Sequence, residues 1–371
     1  MSQRYFAQVS PGLESLLKAE LKTLGARKLK LDEGGVHFEG TRKHLYRALQ
    51  WSRLANLIYW TVSEGTAPNA HALFERAMKV PWDTIVPQDS NPMHISIRVS
   101  LSRHPEFQGT GQVQSIVFRA VERSLSTIRE VRSAHWNDDK PGHHLRILVR
   151  AEDHRVTIRL DAAGSLLHKR GWRLSEGDAP LRPTLAAAML KLLQWQPNEP
   201  LIDPMCGSGT LPIEAALMAA NAPPRLWDTY ACHHWVGFNE ILWQAEGDQG
   251  HQPEHISSEQ IKYHAQIFAS DQSPEAISMT QQHCTQAKQM VQVSCLSVNQ
   301  LEPPTTDEKG GLIIFNPPYG LRVNEGDETK SLLRRFAQHP EAWAGWRVGM
   351  IYPRQLTPPA PNGLVARELA R

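Results

Sequence analysis

The chain has 371 residues, 41% of them hydrophobic, which is enough for two or three domains with substantial cores. No stretch approaches the roughly 20 apolar residues of a membrane span, and the first residues lack the apolar segment of a secretory signal, so we expect a cytoplasmic protein without a membrane partner. Four scattered cysteines without a C-x-x-C pair exclude a disulfide framework and a zinc ribbon, and we expect no metal site.

The formal net charge of +2 conceals an uneven distribution along the chain. Residues 1–175 carry 26 Lys and Arg against 17 Asp and Glu, a net charge of +9, whereas residues 176–371 carry 14 against 21, a net charge of −7. This asymmetry indicates that the first part binds a polyanion. The alternative is that the basic and acidic parts attract each other, and charge alone leaves both readings open.

The N-terminal residues predict two small α+β layers. Leucines at helical spacing predict a helix over residues 11–24, the sequence KLKLDEGGVHFEG predicts a hairpin around a Gly-Gly turn, and a second helix is predicted from about residue 41 to 54. A further layer is predicted between about residues 67 and 160. Its elements are the strand HISIRVSL, the helix VQSIVFRAVERSLSTIRE and the strands LRILVRAE and RVTIRLDA.

The stretch LLHKRGWRLSEGDAPLRP is a predicted linker. Its basic residues His168, Lys169 and Arg170 either contact a phosphate or a cofactor or are solvated. Beyond it strands alternate with helices, which is typical of a parallel, doubly wound sheet. The elements are the helix TLAAAMLKLLQW, the strand PLIDP, the helix LPIEAALMAA, the strand QIFASD, a helix that begins at Ser273, and the strands VQVSCLSV, GGLIIFNPP and WRVGMIYP.

The motif DPMCGSGT, residues 203–210, lies between a short apolar strand and an apolar helix. Its two glycines allow a tight turn that approaches a ligand closely, as expected at the carboxyl end of the first strand of a cofactor-binding fold. No Gly-Lys-Ser/Thr follows, and position 212 is Pro, so neither a nucleoside-triphosphate loop nor a G-x-G-x-x-G motif is present. The alternative is an ordinary strand-to-helix turn.

The chemistry of this turn matches the methionine end of S-adenosylmethionine. Asp203 can accept a hydrogen bond from a cationic amino group, while N–H groups of the turn and of the helix N-terminus face a carboxylate. Asp271 ends the strand QIFASD and is placed to hold a ribose diol, although it could instead only cap the following helix. The predicted cofactor-binding residues of the turn are Asp203, Met205, Cys206, Gly207, Ser208, Gly209 and Thr210.

The motif NPPYG, residues 316–320, follows the apolar run LIIF at another strand end. Its adjacent prolines make a rigid corner with free carbonyl groups, which can accept hydrogen bonds from an exocyclic amino group. We expect Asn316 Oδ1 and the Pro317 carbonyl to hold such a nitrogen towards the methyl group, and Tyr319 to stack on the base, so that Asn316, Pro317, Pro318 and Tyr319 form the catalytic corner. The alternative is a Pro-rich turn with an aromatic plug.

Two weaker signals lie in an insertion between about residues 221 and 263. Cys232, His233 and His234 resemble part of a metal site, but without a second ligand pair a loop or surface position is favoured. The tryptophans Trp227, Trp235 and Trp243 could stack on bases, although local packing is favoured.

Together these motifs resemble the THUMP-domain-containing guanine-N2 methyltransferases of ribosomal RNA, in particular the N-terminal methyltransferase half of the bacterial large-subunit enzyme. The resemblance covers nearly the whole chain in family order. It is carried by PGLESLLKAEL, EGGVHFEG, LHKRGWR, APLRPTLAAAML, LIDPMCGSGTLPIEAAL, FASDQSPEAI and FNPPYG.

The resemblance implies an α/β catalytic domain of the Rossmann-like class I methyltransferase type preceded by α+β domains. The implied division is a ferredoxin-like domain at 1–65, an RNA-binding THUMP domain at 66–165 and the methyltransferase domain at 166–371. It implies S-adenosylmethionine as cofactor and a guanosine of 23S ribosomal RNA, naked or in a large-subunit assembly intermediate, as substrate. We expect a monomer.

The chain departs from the family at two places. Relatives have an Asp after the third strand to hold the adenine amino group, whereas this chain reads LSVNQL, so Ser297 or Asn299 would have to substitute. The family also has a final strand pair where this chain reads RQLTPPAPNGLVARELAR, and we expect the C-terminal strands to be incomplete.

Two rival functions remain open. The NPPY corner could serve adenine N6 in DNA or a glutamine amide in a protein, because both present a planar amino nitrogen. The chain could also be a non-catalytic RNA-binding protein whose methyltransferase fold no longer binds the cofactor.

Overall fold

The computed structural model of the chain describes residues 2–136, 144–175, 180–226, 229–248, 266–304, 310–317, 327–351 and 368. The chain divides into two units. The first contains Met1–Val9, Leu17–Leu167 and Asp228–Asp248, and the second contains Ser10–Leu16, His168–Trp227 and Gln249–Arg371. Within the described ranges, no helix is both long enough and apolar enough to cross a membrane.

The elements before the linker confirm the predicted helices and hairpin, with small changes at their ends. In chain order they are β1 (Gln3–Gln8), α1 (Glu14–Thr23), β2 (Arg27–Asp32), β3 (Gly35–Gly40), α2 (Arg42–Trp51), β4 (Leu57–Thr66), α3 (Ala70–Met78), β5 (Met93–Ser102), α4 (Thr110–Leu125), β6 (Val131–Ser133), β7 (His144–Glu152) and β8 (Arg155–Asp161).

The strands of this part, as far as they are described, form one eight-stranded sheet in the order β2-β3-β1-β4-β8-β7-β5-β6. The two predicted layers therefore share a sheet, because β4 pairs with β1 on one side and with β8 on the other. The predicted boundary between residues 65 and 66 falls inside β4. Both β1 and β4 are absent from the sequence prediction, since an inner strand such as β1, with Tyr5, Phe6 and Ala7 all buried, shows no alternation of apolar and polar residues.

The elements after residue 180 are α5 (Pro183–Leu192), β9 (Leu201–Asp203), α6 (Thr210–Ala219), α7 (Glu240–Asp248), β10 (Ile267–Asp271), α8 (Pro274–Ala287), β11 (Gln292–Cys295), β12 (Gly311–Phe315), α9 (Asp327–Gln338) and β13 (Trp346–Met350). The strands form a parallel sheet in the order β11-β10-β9-β12-β13, as far as the chain is described. The predicted α/β fold class is confirmed.

The run GLIIF of β12 shows why this sheet is buried on both faces. Leu312 and Ile314 pack in one core cluster with residues of α5 and α6, whereas Ile313 and Phe315 pack in a second cluster with residues of α9. A strand covered by helices on both faces reads as a continuous apolar run. Local composition therefore predicts these strands well.

Part of the insertion packs in the first unit, although residues 229–248 lie within the segment predicted as the methyltransferase domain. The carboxylate of Glu246 in α7 is 1% exposed and accepts a hydrogen bond from Arg47 Nε of α2 at 2.8 Å. Trp51 Nε1 donates to the Glu246 carbonyl at 3.0 Å. These contacts join residues nearly 200 positions apart, so no local pattern predicts them.

The aromatic residues of the insertion are packed, as favoured from the sequence. Trp243 is 8% exposed and lies 5.3 Å from the Tyr46 ring, and Trp235 lies 5.6 Å from the Trp60 ring; Trp227 lies outside the described residues. The loop or surface position predicted for Cys232 is wrong, because its thiol is buried within a short 3-10 helix. Among the described residues, no group of three His, Cys, Asp or Glu side chains could hold a metal ion.

Candidate active site

Three predicted residues lie at the carboxyl ends of adjacent parallel strands. Asp203 ends β9, Asp271 ends β10, and Asn316 directly follows β12. The strand β9 lies between β10 and β12, and all three run in the same direction. The carboxyl ends of parallel strands share one edge, and the strand order reverses between β9 and β12, which is where open α/β sheets form a ligand crevice.

The glycine turn between β9 and α6 is joined to the neighbouring strand β10 by hydrogen bonds from two backbone N–H groups. The Cys206 N–H donates to the Ser270 carbonyl at 2.9 Å, and the Gly207 N–H donates to Asp271 Oδ2 at 3.0 Å. Gly207 and Gly209 have φ angles of +53° and +80°, which side-chain-bearing residues adopt only with strain. The turn is therefore held against the end of β10.

Asp203 is a buried carboxyl group with a perturbed pKa. It is 2% exposed, and its Oδ1 accepts a hydrogen bond from the Met205 N–H at 3.2 Å. Burial raises the pKa of Asp203 well above its usual value, and the nearby Asp271 raises it further. A cationic ligand group beside Asp203 would reverse this effect, because an opposite charge favours the ionised carboxylate.

Asp271 is half-buried and keeps acceptor capacity. Its Oδ2 accepts from the Gly207 N–H and its Oδ1 from the Ser273 N–H, both at 3.0 Å. Each carboxylate oxygen can accept a second hydrogen bond. Ser273 caps α8 with its own hydroxyl, which accepts from the Ala276 N–H at 3.2 Å, so Asp271 is not the capping side chain.

Asn316 is half-buried and the following Pro317 is buried, so the described part of the corner lies close to the sheet. Asn316 follows Phe315, the last residue of β12, which is fully buried. Pro318 and Tyr319 lie outside the described residues.

Comparison with known proteins identifies the family. Residues 170–355, half of the chain, match the family model described as the RMKL-like methyltransferase domain, and residues 4–59 match the RlmL ferredoxin-like domain. The chain belongs to the RMKL-like methyltransferase family. This is a family of S-adenosylmethionine-dependent methyltransferases.

Several proteins resemble the chain over nearly its whole length. The ribosomal RNA large subunit methyltransferase K/L of Psychromonas ingrahamii is 32% identical over 94% of this chain, which spans only 45% of that relative. A crystal structure from Listeria monocytogenes, described as a predicted N6-adenine-specific DNA methylase, is 26% identical with a TM-score of 0.79 and covers 94% of this chain and 88% of its own. SMU.472, crystallised in complex with SAH, shares the fold at 22% identity and a TM-score of 0.77, over 95% of this chain and 89% of its own.

In this RMKL-like domain, two buried polar residues of α8 support the glycine turn. Thr280 Oγ1 donates to the Gly207 carbonyl at 2.8 Å, and His283 Nδ1 donates to the Ser208 carbonyl at 2.9 Å. Burial lowers the pKa of His283, so its ring is neutral, and its Nε2 accepts from the Ser175 N–H at 3.4 Å. The sequence reading missed both residues. Their three-residue spacing on the helix face that also carries Ile277 is the signal that could have found them.

The remaining predicted residues of the turn have protein partners. Thr210 Oγ1 accepts from Arg173 Nη2 at 2.6 Å, and the Cys206 thiol is buried, which raises its pKa and makes it unreactive. Met205 is half-buried and packs against the core cluster that contains β12 residues. The side chains of Cys206 and Met205 therefore contribute packing, and what these two residues can offer a ligand is their backbone.

Ser297 lies two residues after β11, next to the end of β10. Its hydroxyl caps a short 3-10 helix by accepting from the Asn299 N–H at 3.4 Å, and the Asn299 amide oxygen accepts from Ser331 Oγ at 2.5 Å. Both residues that could replace the family's Asp thus have partners of their own.

Arg170 of the predicted linker is not solvated. Its Nε donates to Glu214 Oε1 in α6 at 2.9 Å, and both side chains are fully buried. The solvated alternative is therefore wrong for Arg170. The ion pair joins the linker to the helix that begins at the glycine turn.

Gly209→Ala is expected to destabilise the RMKL-like domain more than Gly207→Ala. Both glycines have positive φ angles, but a Cβ at Gly209 would lie 2.8 Å from Thr280 Cγ2, whereas a Cβ at Gly207 would meet no described residue within 4 Å. For Gly207→Ala we expect a loss of about 1 kcal/mol in the free energy of unfolding, from backbone strain alone. For Gly209→Ala we expect about 3 kcal/mol, because overpacking against Thr280 adds to the strain. Urea denaturation measures both, and equal losses would show that the close contact with Thr280 has no cost.

Proposed function

We propose that this chain transfers the methyl group of S-adenosylmethionine to the exocyclic N2 amino group of a guanosine in 23S ribosomal RNA. The observation that carries the proposal is the common edge of Asp203, Asp271 and Asn316 beside a glycine turn. The ribosomal RNA substrate is supported by the 32% identical large-subunit relative and by the positive charge of residues 1–175. Guanine N2 is supported by the family resemblance of the motifs.

The residues of the turn fit the cofactor. A Cβ at Gly207 would meet none of the described residues within 4 Å, so the backbone at Gly207 faces open space. Asp203 would hold the amino group, the N–H groups at the start of α6 the carboxylate, and Asp271 the ribose hydroxyls. S-adenosylmethionine supplies an electrophilic methyl group.

The catalytic corner would orient the exocyclic amino nitrogen of the base, which is a weak nucleophile. An exocyclic amino nitrogen has its lone pair delocalised into the ring, so acceptors for its two N–H groups must hold the nitrogen in line with the methyl group. Asn316 Oδ1 and the Pro317 carbonyl would accept these hydrogen bonds and stabilise the positive charge that develops on the nitrogen. The proton leaves afterwards to water, and no strong general base is required.

Methyl transfer to isolated RNA tests the proposal. Purified protein is incubated with methyl-labelled S-adenosylmethionine and 23S ribosomal RNA from cells that lack this gene, with 16S ribosomal RNA as control. Nuclease digestion and nucleoside analysis should give labelled N2-methylguanosine from 23S RNA alone. Labelled N6-methyladenosine, from RNA or from a DNA control, would favour the adenine alternative. Calorimetry that detects no cofactor binding would favour a non-catalytic RNA-binding protein.

Cofactor affinity is expected to rise as the pH increases from the acidic range towards about 7, because the ligand's α-amino group remains protonated there. The raised pKa of Asp203 means that the buried carboxyl must release a proton when it binds an ammonium group, and this cost falls as the pH increases. Isothermal titration in two buffers of different ionisation enthalpy measures the proton release. Asp203→Asn should bind weakly without this dependence, and an unchanged pH slope in Asp203→Asn would contradict the assignment.

A further inference from the structure

The eight-stranded sheet of the first unit has one apolar and one charged face. Along β8, Val156, Ile158 and Leu160 are fully buried in the core cluster that contains residues of α3 and α4. Side chains alternate along a strand, so Arg155, Thr157 and Arg159 lie on the opposite face. This second face carries a cavity of about 290 Å³. It is lined by Lys30, Asp32, His37, Glu64, Arg150, Glu152, Asp153, Arg155, Thr157 and Arg159.

The acidic residues of this cavity are neutralised by neighbouring cations. Each of the four carboxylates forms at least one ion pair, with N–O distances of 2.6 to 3.7 Å. The pairs are Asp32 with Arg150, Glu64 with Arg4 and Arg155, Glu152 with Arg150 and Arg103, and Asp153 with Arg103. His37 also hydrogen-bonds to Asp32, but burial lowers its pKa, so it does not count as a cation here. The acids therefore leave two lining cations, Lys30 and Arg159, without an ion-pair partner among the residues that the structure describes.

Arg159 differs from the other charged residues of the cavity because its side chain is buried. It is 3% exposed, and its Nε has no hydrogen-bond partner in the part of the chain that the structure describes. Its guanidinium lies over the Phe6 ring, 4.1 Å from the centroid, which occupies one face of the group. Burial lowers the pKa of Arg159 to about 10, so the group is still charged at neutral pH. Asp32 and Glu64 stabilise the charge at a distance, but neither forms an ion pair with Arg159 among the described residues, so an anion in the cavity would stabilise the guanidinium further.

We propose that this cavity binds a phosphate group of the RNA backbone, held by Arg159 and Lys30. The planar guanidinium matches phosphate oxygens in a bidentate geometry, and the lysine adds a second charge. The cavity volume of about 290 Å³ leaves room for the sugar next to the phosphate. The phosphate site itself is independent of the proposed function, whereas RNA as the source of the phosphate rests on it.

Thermal melting with inorganic phosphate tests the site without cofactor or RNA. At constant ionic strength, millimolar phosphate should raise the melting temperature of the wild type by about 2–4 °C, because a ligand of the native state stabilises it. Arg159→Met should show no phosphate shift and should melt no lower than the wild type, since a buried unpaired charge is lost. A purely structural arginine would instead lower the melting temperature and leave the phosphate shift intact, which would overturn the proposal.

Two further variants keep this result interpretable. Lys30→Met removes an exposed cavity lysine, so it should fold normally and reduce the phosphate shift even if Arg159→Met fails to fold. Lys79→Met is the matched control, because Lys79 is exposed at the end of α3, whose buried residues pack on the apolar face of the sheet. It should keep the full phosphate shift. Equal shifts in Lys30→Met and Lys79→Met would contradict the assignment of the cavity.

Binding of a 23S ribosomal RNA fragment identifies the source of the phosphate. Loss of one phosphate contact in Arg159→Met should weaken binding about tenfold and reduce the salt dependence by about one unit, while Lys79→Met stays close to the wild type. Unchanged RNA binding together with a lost phosphate shift would assign the cavity to a free phosphate compound and overturn the RNA source. RNA binding that depends on Arg159 without any methyl transfer would refute the proposed function and leave the phosphate site standing.

Discussion

Asn316→Ala is expected to lower kcat for methyl transfer by about 100- to 1000-fold, the usual cost of removing one preorganised hydrogen-bonding group at a reacting centre. Asn316 directly follows β12, and we assign its amide oxygen to the amino nitrogen of the base. The loss arises because an unoriented nitrogen seldom faces the methyl group. The affinity for S-adenosylmethionine should change less than twofold, because Asp203 and Asp271 bind that ligand.

The control for this variant is Asn198→Ala. Asn198 is exposed in the turn that precedes β9, at the amino end of the sheet strands, and it should keep wild-type kcat. Single-turnover rates at saturating cofactor measure the transfer step, and calorimetry measures cofactor affinity. If Asn316→Ala loses as much cofactor affinity as Asp203→Asn, Asn316 binds the cofactor and does not belong to the catalytic corner.

Arg170→Met is expected to reduce the free energy of unfolding by about 3–5 kcal/mol, because it leaves a buried carboxylate without its cation. The Arg170 and Glu214 side chains are both fully buried and lie 2.9 Å apart. Glu214 lies in α6, the helix that begins at the glycine turn, so a displaced helix should also weaken cofactor binding. Urea denaturation and calorimetry measure the two effects.

Two comparisons test whether the stability loss in Arg170→Met comes from burial of the ion pair. The double variant Arg170→Met with Glu214→Leu should recover most of the lost stability, because no uncompensated charge remains in the core. Arg347→Met breaks a pair with Glu199 whose side chains are 45% and 22% exposed, and it should cost about 1 kcal/mol or less. A similar loss in Arg347→Met and Arg170→Met would mean that burial does not govern the cost.

Much of the second unit could be predicted because its signals are local. The run GLIIF, the glycines of DPMCGSGT and the strand-ending acids each lie within a few residues, and the alternation of strands with helices implies parallel strands. A parallel sheet then brings the carboxyl ends of its strands to one edge, so the sequence alone grouped Asp203, Asp271 and Asn316. The role of each residue stays a prediction.

The sequence by itself determined the fold class and the edge of the sheet at which the candidate site lies, because hydrophobic periodicity and glycine positions are properties of neighbouring residues. Only the tertiary structure decided that β4 joins two layers into one sheet, that α7 packs on α2, that Arg170 is buried in an ion pair, and that Arg159 Nε is buried without a hydrogen-bond partner among the described residues. Each of these depends on contacts between residues distant in sequence. Burial and pairing of a charged side chain are set by what packs around it, which no short stretch of sequence encodes.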